Sequence, residues 1–355
     1  MTTGLQKSTL FSYLLGASLV VLDSKAARYG EVIVYLFEQC HLNCVFCHQD
    51  HNSTVGADRE SILAKADKVI EWVNNKEEVD VFNIHLMGGE LLQDTLINEG
   101  FLVYYREFIS KLEQGIKRPE VNILISSALV FTEVDKVLEF LQDTKLNVSY
   151  DTKGRFTKHD LQVFKQNIEI FKPYIKLVSS VMIKATMKAI IKGDSYYEYL
   201  YNNFECVWDN LLPVNEYSKA LMPSDSLSLE FYKKLIDQYP RIPNITHFVE
   251  STPYNAMSCT RDRQLTIDDK GVALDVCPAT AYPEIQITAA PETSDLVHKF
   301  FDAYNCATCE YYQRCTFTCF VKQDYMQTKR DLRDVCIYKE LFNYVSKPRI
   351  PISTL

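Results

Sequence analysis

Cysteine is the residue whose placement most constrains this chain. Of 11 Cys in 355 residues, three fall within eight positions, at Cys40, Cys44 and Cys47, and four within fourteen, at Cys306, Cys309, Cys315 and Cys319. The others are Cys206, Cys259, Cys277 and Cys336. At this frequency chance would place a C-x3-C-x2-C pattern about 0.01 times per chain, so the clustering is not accidental. A chain of this length buries a core far larger than that of a disulfide-stapled mini-protein. Tight cysteine clusters in such a chain read as metal or iron–sulfur ligands, and they predict a reducing, cytoplasmic setting.

Zinc and iron–sulfur make different demands. Structural zinc wants four ligands closing a tetrahedron, whereas three thiolates from one short loop suit three corners of a four-iron cube and leave its fourth iron open for chemistry. The triplet therefore favours a [4Fe–4S] cluster. His41, His48 and His51 are each available as a fourth zinc ligand, which is the alternative, or serve as loop residues around the cluster.

The run Glu31 to Phe37 (EVIVYLF) is β-branched and apolar and ends just before Cys40, which puts the triplet on the loop leaving a strand. Further strands are predicted at 79–87, 121–126, 146–150, 176–183 and 206–212, with helices near 60–75, 96–116, 132–143, 158–172 and 195–203 between them. Alternation of this kind predicts an α/β fold with a parallel sheet, here a partial (β/α)6 TIM-like barrel whose active site lies at the C-terminal strand ends. The predicted organisation is an N-terminal helical segment over 1–27, the partial barrel over 28–220, a bridging region over 221–255 with a helix near 228–238, a cysteine-rich domain over 256–345, and a non-helical tail over 346–355. The apolar run Leu10 to Leu22 is shorter than a membrane span and reads as a buried helix, with a secretory signal as its alternative. A net charge of -8 is the wrong sign for a nucleic-acid or anionic-membrane binder.

The triplet reads Cys40-His-Leu-Asn-Cys44-Val-Phe46-Cys47, and the second strand ends in Gly88-Gly89-Glu90. This pairing resembles the radical S-adenosylmethionine (radical SAM) superfamily, with its Cys-x3-Cys-x-aromatic-Cys loop and Gly-Gly-Glu type motif. The resemblance implies that Cys40, Cys44 and Cys47 hold a cluster whose open iron is chelated by the nucleotide's methionine end. It also implies that the glycines let backbone carbonyls approach the ammonium while Glu90 accepts from it. Ser126, Ser149 and Asp151 stand where family members place residues facing the ribose or methionine, with a cap or turn role as the plain alternative.

The quartet Cys306-x2-Cys309-x5-Cys315-x3-Cys319, with Cys259 and Cys277 before it and Cys336 after it, resembles the SPASM extension of radical SAM enzymes, which holds two auxiliary [4Fe–4S] clusters. Gly271 stands one position off the spacing usual before the cysteine at 277. The resemblance implies Cys259, Cys277 and Cys319 as ligands of one auxiliary cluster and Cys306, Cys309, Cys315 and Cys336 as ligands of the other, one iron taking a non-cysteine ligand. A zinc ribbon is the alternative for the quartet. Cys206, in an apolar strand, is expected to be a buried small hydrophobe.

Taken together, the resemblance implies three clusters, S-adenosyl-L-methionine as cofactor, and an external electron donor of the flavodoxin or ferredoxin type. The implied enzyme is an oxidoreductase that cleaves the nucleotide to a 5′-deoxyadenosyl radical and oxidatively cross-links or dehydrogenates a peptide or protein substrate, a ribosomal natural-product precursor foremost. A sulfatase-maturase-like activity is the alternative, weakened by Pro278 where that group has Asp. A non-catalytic iron–sulfur redox or sensor protein is a third reading. The 30 residues before Glu31 are too few for a leader-binding winged helix, which suggests a separate leader-binding protein or direct grasp of the substrate. The aromatic stretch Tyr196 to Tyr201 is either a peptide-facing surface or a helix packed on the barrel. Asn215 and Glu216 are candidates for the barrel mouth.

Overall fold

The computed structural model describes residues 28–47, 49–118, 120–151, 153–213, 216–243, 245–246, 263–274, 293–312, 315, 332 and 335–346. The predicted N-terminal helix, the tail from Lys347, His48, Asn215, Cys259, Cys277 and Cys319 lie outside these residues; Ser346 closes the last helix.

Alternation in the sequence becomes a layered α/β structure. Strand β1 (Tyr29–Tyr35) is followed by α1 (Arg59–Asn75), β2 (Val81–Met87), α2 (Asp94–Asn98), α3 (Phe101–Gly115), β3 (Val121–Ser127), α4 (Val134–Leu141) and β4 (Lys145–Ser149). Then come α5 (Lys158–Ile170), β5 (Ile175–Val181), α6 (Lys184–Ile191), α7 (Ser195–Asn203) and β6 (Cys206–Asp209). The sheet order is β6-β5-β4-β3-β2-β1, every pair parallel, as the α/β prediction requires. A seventh parallel strand, β7 (Gln264–Ile267), extends the sheet beyond β1 in the register Glu31↔Gln264, and β8 (Ala273–Leu274) pairs antiparallel to it. Both fall in the stretch assigned from sequence to the cysteine-rich domain. Too short and too polar in context to read as strands, they are recruited by the open edge of β1. After β6 the chain forms α8 (Glu216–Leu221) and α9 (Asp225–Gln238), and the C-terminal region contributes α10 (Thr293–Tyr304) and α11 (Ile337–Ser346). The alternation missed α6 and α8.

Each strand shows two faces. Val32 and Val34 of β1 and Phe82, Ile84 and Leu86 of β2 are fully buried under the helices, while Glu31, Ile33, Tyr35, His85 and Met87 point into a cavity inside the curved sheet. α1 meets the outer face with Ile62, Ala66, Val69 and Val73 at helical spacing, and its start is fixed by Asp58, whose carboxylate accepts from Ser61 N–H at 2.8 Å. The single helix predicted over 96–116 is two, because Gly100 at φ 88 breaks it in a left-handed conformation that only glycine adopts readily.

The aromatic stretch is resolved in favour of packing. Tyr197 is buried in α7 against Trp208 and Tyr239, with ring centroids 5.1 and 5.5 Å away, and Tyr196 packs on Tyr150 and Phe164. Cys206 is buried in β6 as expected. Among the described residues, no helix is long and apolar enough to cross a membrane.

Candidate active site

The C-terminal ends of the parallel strands open onto a cavity of about 480 Å³. Its rim carries Cys40, Cys44, Phe46 and Cys47 after β1, Gly88, Gly89 and Glu90 after β2, Ser126 on β3 and Ser149 on β4. These predicted residues, far apart in sequence, are thus brought together.

The cysteine loop is held by its neighbours. Cys40 N–H donates to the His51 carbonyl at 3.1 Å, Val45 N–H to Gly154 at 2.8 Å, and Cys47 N–H to Cys44 at 3.0 Å. Burial pushes the Cys40 thiol up to about 12 and the Cys44 thiol up to about 11; Glu90 adds to the first, while Arg155 opposes the second. A thiol must lose its proton to ligate a metal centre, so binding one here would be coupled to proton release. Among the described residues, no three His, Cys, Asp or Glu side chains enclose a single metal ion. A four-iron cube takes its thiolates at separate corners, a wider arrangement.

Gly88 and Gly89 are needed for close approach. A Cβ at Gly89 would stand 2.0 Å from the Gln39 carbonyl oxygen and one at Gly88 3.0 Å from that of Phe37. Here the glycine pair lets the β2 exit press on the cysteine loop, sealed by Gly89 N–H to Phe37 (3.0 Å) and Glu90 N–H to Gln39 (3.2 Å). Glu90 is 2% exposed; its carboxylate accepts from Leu92 N–H at 3.0 Å and from Ala128 N–H at 2.7 Å, joining the β2 and β3 exits. The Ser126 hydroxyl is buried without a hydrogen-bond partner on the wall of the cavity, which leaves a polar group for a bound molecule to satisfy.

Asp151 does not line the cavity. Its carboxylate accepts from Val181 N–H at 2.8 Å and pairs with Arg155 at 2.7 Å, and burial pushes it up to about 6 against the pull of that guanidinium. Arg155 is the residue that sequence reasoning missed. It lines the cavity, lies 5.2 Å from the centroid of the Phe46 ring, and is drawn electrostatically toward Asp151, Cys44 and Cys47. Its position four residues past Asp151, just beyond the exit of β4, was the available signal.

Glu31 and His85 line the same cavity and belong to a chain of polar side chains on the strands. His85 Nε2 lies 3.0 Å from the Glu31 carboxylate, Asn83 Nδ2 donates to Glu31 at 3.1 Å, and Asn122 donates on to Asn83 at 3.1 Å. Asp209 opens on the same cavity, raised above the usual carboxylate range by desolvation and held down by His85 and Ser179. Of the β6 exit candidates, Glu216 pairs with Lys219 and does not line the cavity.

In the C-terminal region, Cys306, Cys309, Cys315 and Cys336 face one another. Burial pushes Cys306 up to about 12 and Cys315 well above its ordinary value, and in both the nearby thiols add to the shift.

No family model and no curated protein matches this sequence. Solved structures do. The anaerobic sulfatase-maturing enzyme anSMEcpe with bound AdoMet superposes with a TM-score of 0.61 at 14% identity, over 89% of this chain and 93% of that chain. The same protein with AdoMet and a Cp18Cys peptide gives 0.58 at 12% identity, over 89% and 95%. SuiB from Streptococcus suis with its precursor peptide SuiA gives 0.51 at 14%, over 90% and 78%. The chain shares the fold of these structures. The expected α/β partial TIM-like barrel is thereby borne out.

Proposed function

We propose that this protein is a radical SAM enzyme that oxidatively modifies a peptide. One observation carries the reading: the three-cysteine loop, the Gly-Gly-Glu turn and an unsatisfied serine hydroxyl converge on one cavity at the C-terminal mouth of a parallel partial barrel. When bound, a [4Fe–4S] cluster with S-adenosylmethionine supplies a 5′-deoxyadenosyl radical.

The residues divide the work. Cys40, Cys44 and Cys47 hold the cluster. Glu90 faces the ammonium of the methionine end, Arg155 supplies the positive charge for its carboxylate, and Ser126 and Ser149 bind its polar edge. Phe46, stacked on Arg155, keeps water off the cysteine loop. Glu31, His85 and Asp209 line the substrate side, where they orient polar groups and move protons. In the cysteine-rich region, Cys306, Cys309, Cys315 and Cys336 form one ligand set for an auxiliary cluster, with Cys259, Cys277 and Cys319 assigned to a second. The peptide substrate is supported by the peptides bound to anSMEcpe and SuiB.

The test is anaerobic reconstitution followed by reduction with dithionite in the presence of S-adenosylmethionine. Release of 5′-deoxyadenosine is expected, with about 12 iron per chain. Stoichiometric zinc without sulfide and no nucleoside release would overturn the reading.

A further inference from the structure

Lys65, on α1, is only 1% exposed. A buried ammonium is costly unless it is hydrogen-bonded and faced by opposite charge, and Lys65 has both. Its Nζ donates at 2.7 Å to the carbonyl of Leu36, the residue that follows β1 and stands four positions before Cys40. Burial draws the ammonium down to about 8, while Asp269, Asp268 and Asp58 oppose that and Lys68 adds to it.

Gly56 shows how tightly the parts meet. It has φ +74, and a Cβ there would stand 2.2 Å from the Asp269 carbonyl oxygen, 2.7 Å from Lys65 Nζ and 2.8 Å from the Leu36 carbonyl oxygen. Three stretches converge on that point: the exit of β1, the return of the cysteine loop, and the turn joining β7 to β8. Lys68, three residues further along α1, donates to the Gly271 carbonyl in the same turn, and Glu38 of the cysteine loop lies within the field of Asp269 and Lys270. The β1–β7 ladder ends at Val34↔Ile267, before either loop begins, so strand pairing does not itself align the two loops. The β7–β8 hairpin lies in sequence between Cys259 and Cys277.

We propose that Lys65 is a positioning residue that locks the loop of Cys40, Cys44 and Cys47 onto the β7–β8 turn, and so sets the first cluster-bearing segment against the β7–β8 hairpin. The proposal rests on the cluster reading given above. It predicts that a change on α1, distant in sequence from every cysteine, is felt at the first cluster.

The test uses full-length, anaerobically reconstituted Lys65→Met, Lys65→Arg and Gly56→Ala proteins with S-adenosylmethionine as the probe. Lys65→Met keeps the volume and removes the donor; Gly56→Ala keeps the lysine and wedges the turn away. Both are expected to retain iron and sulfide, to bind S-adenosylmethionine about tenfold more weakly, and to change the EPR spectrum that the reduced first cluster shows on adding it. Lys65→Arg should recover most of the affinity and the wild-type spectrum. Unchanged affinity and spectrum in Gly56→Ala and in any folded Lys65→Met would overturn the proposal; if Lys65→Met does not fold, Gly56→Ala decides. Failure of the cluster reading shows in the wild type, which would then hold no cluster and bind no S-adenosylmethionine. Failure of the proposal alone shows only in the variants.

Discussion

The two cysteine groups are built on opposite plans. Around Cys40, Cys44 and Cys47 the chain is gripped by parts distant in sequence: Gly154 takes Val45 N–H, Gln39 receives Glu90 N–H and the Gln93 side chain, and Lys65 reaches Leu36. Around Cys306, Cys309 and Cys315 the backbone bonds among the described residues are local, from Cys309 to Cys306 at 3.0 Å, from Tyr312 to Cys309 at 3.0 Å and from Cys315 to Tyr311 at 2.8 Å. A stack of Tyr311 on Phe342, with centroids 4.9 Å apart, ties that knot to α11, just after Cys336. The difference separates a site made by its scaffold from a site whose ligand is expected to complete the fold. In the first, the sheet supplies the folding energy; in the second, by the reading proposed above, cluster binding would supply much of it.

Cysteine replacement should break or sharpen this contrast most strongly. Cys44→Ala is expected to bring 5′-deoxyadenosine release down to background while leaving the melting temperature of the barrel nearly unchanged. Cys315→Ala should keep nucleotide cleavage within about tenfold of wild type yet expose the C-terminal region to limited proteolysis. Equal thermal losses in the two variants would erase the distinction between the plans.

Acid is expected to act on the first region. Asp151 is held up at about 6 by burial, so its folded-state value lies above that of an unfolded carboxylate. Between those values the folded state binds a proton that the unfolded chain does not, and this group's contribution to stability falls as pH rises from about 4 to 6. Over the same interval the Arg155 ion pair forms, so affinity for S-adenosylmethionine should rise. Titration calorimetry and denaturant unfolding at pH 4.5 and 7 should therefore move in opposite directions in that respect, and Asp151→Asn, neutral at both pH values, should flatten both. The shifts at Cys306 and Cys315 come from burial and from neighbouring thiols, with no carboxylate among their causes.

The smallest effect is expected at Ser126. Its hydroxyl has no protein partner, so Ser126→Ala should leave stability unchanged and weaken S-adenosylmethionine binding by about fivefold, near 1 kcal/mol, the worth of one hydrogen bond. Denaturation and equilibrium binding of the same protein check both halves.

Much of this is legible in the residues because it depends on short-range spacing. The cysteine loop, the Gly88–Glu90 turn and the alternation of strands and helices all announce themselves within windows of a few to some twenty residues. Features that depend on tertiary placement do not. β7 exists because β1 offers an unpaired edge, and nothing in Gln264–Ile267 itself says so. Asp151 was expected to face the nucleotide and instead holds Arg155, since a buried carboxylate takes the nearest cation. The chain of polar side chains does leave a signal in the sequence: Glu31, Asn83, Asn122 and His85 interrupt otherwise apolar strands, the pattern of a sheet whose inner face meets a cavity instead of a packed barrel core.

The pairing of β7 with β1 also bears on the order in which the molecule can assemble. β1 is among the first described parts to be synthesised and β7 comes from the last third of the chain, so this ladder closes a very long loop and belongs to the slow, non-local class of contacts. Until it forms, β1 presents a bare strand edge beside the cysteine loop, the kind of edge that invites pairing with another chain. Assembly of the cysteine loop into its final setting therefore waits on residues that lie far downstream.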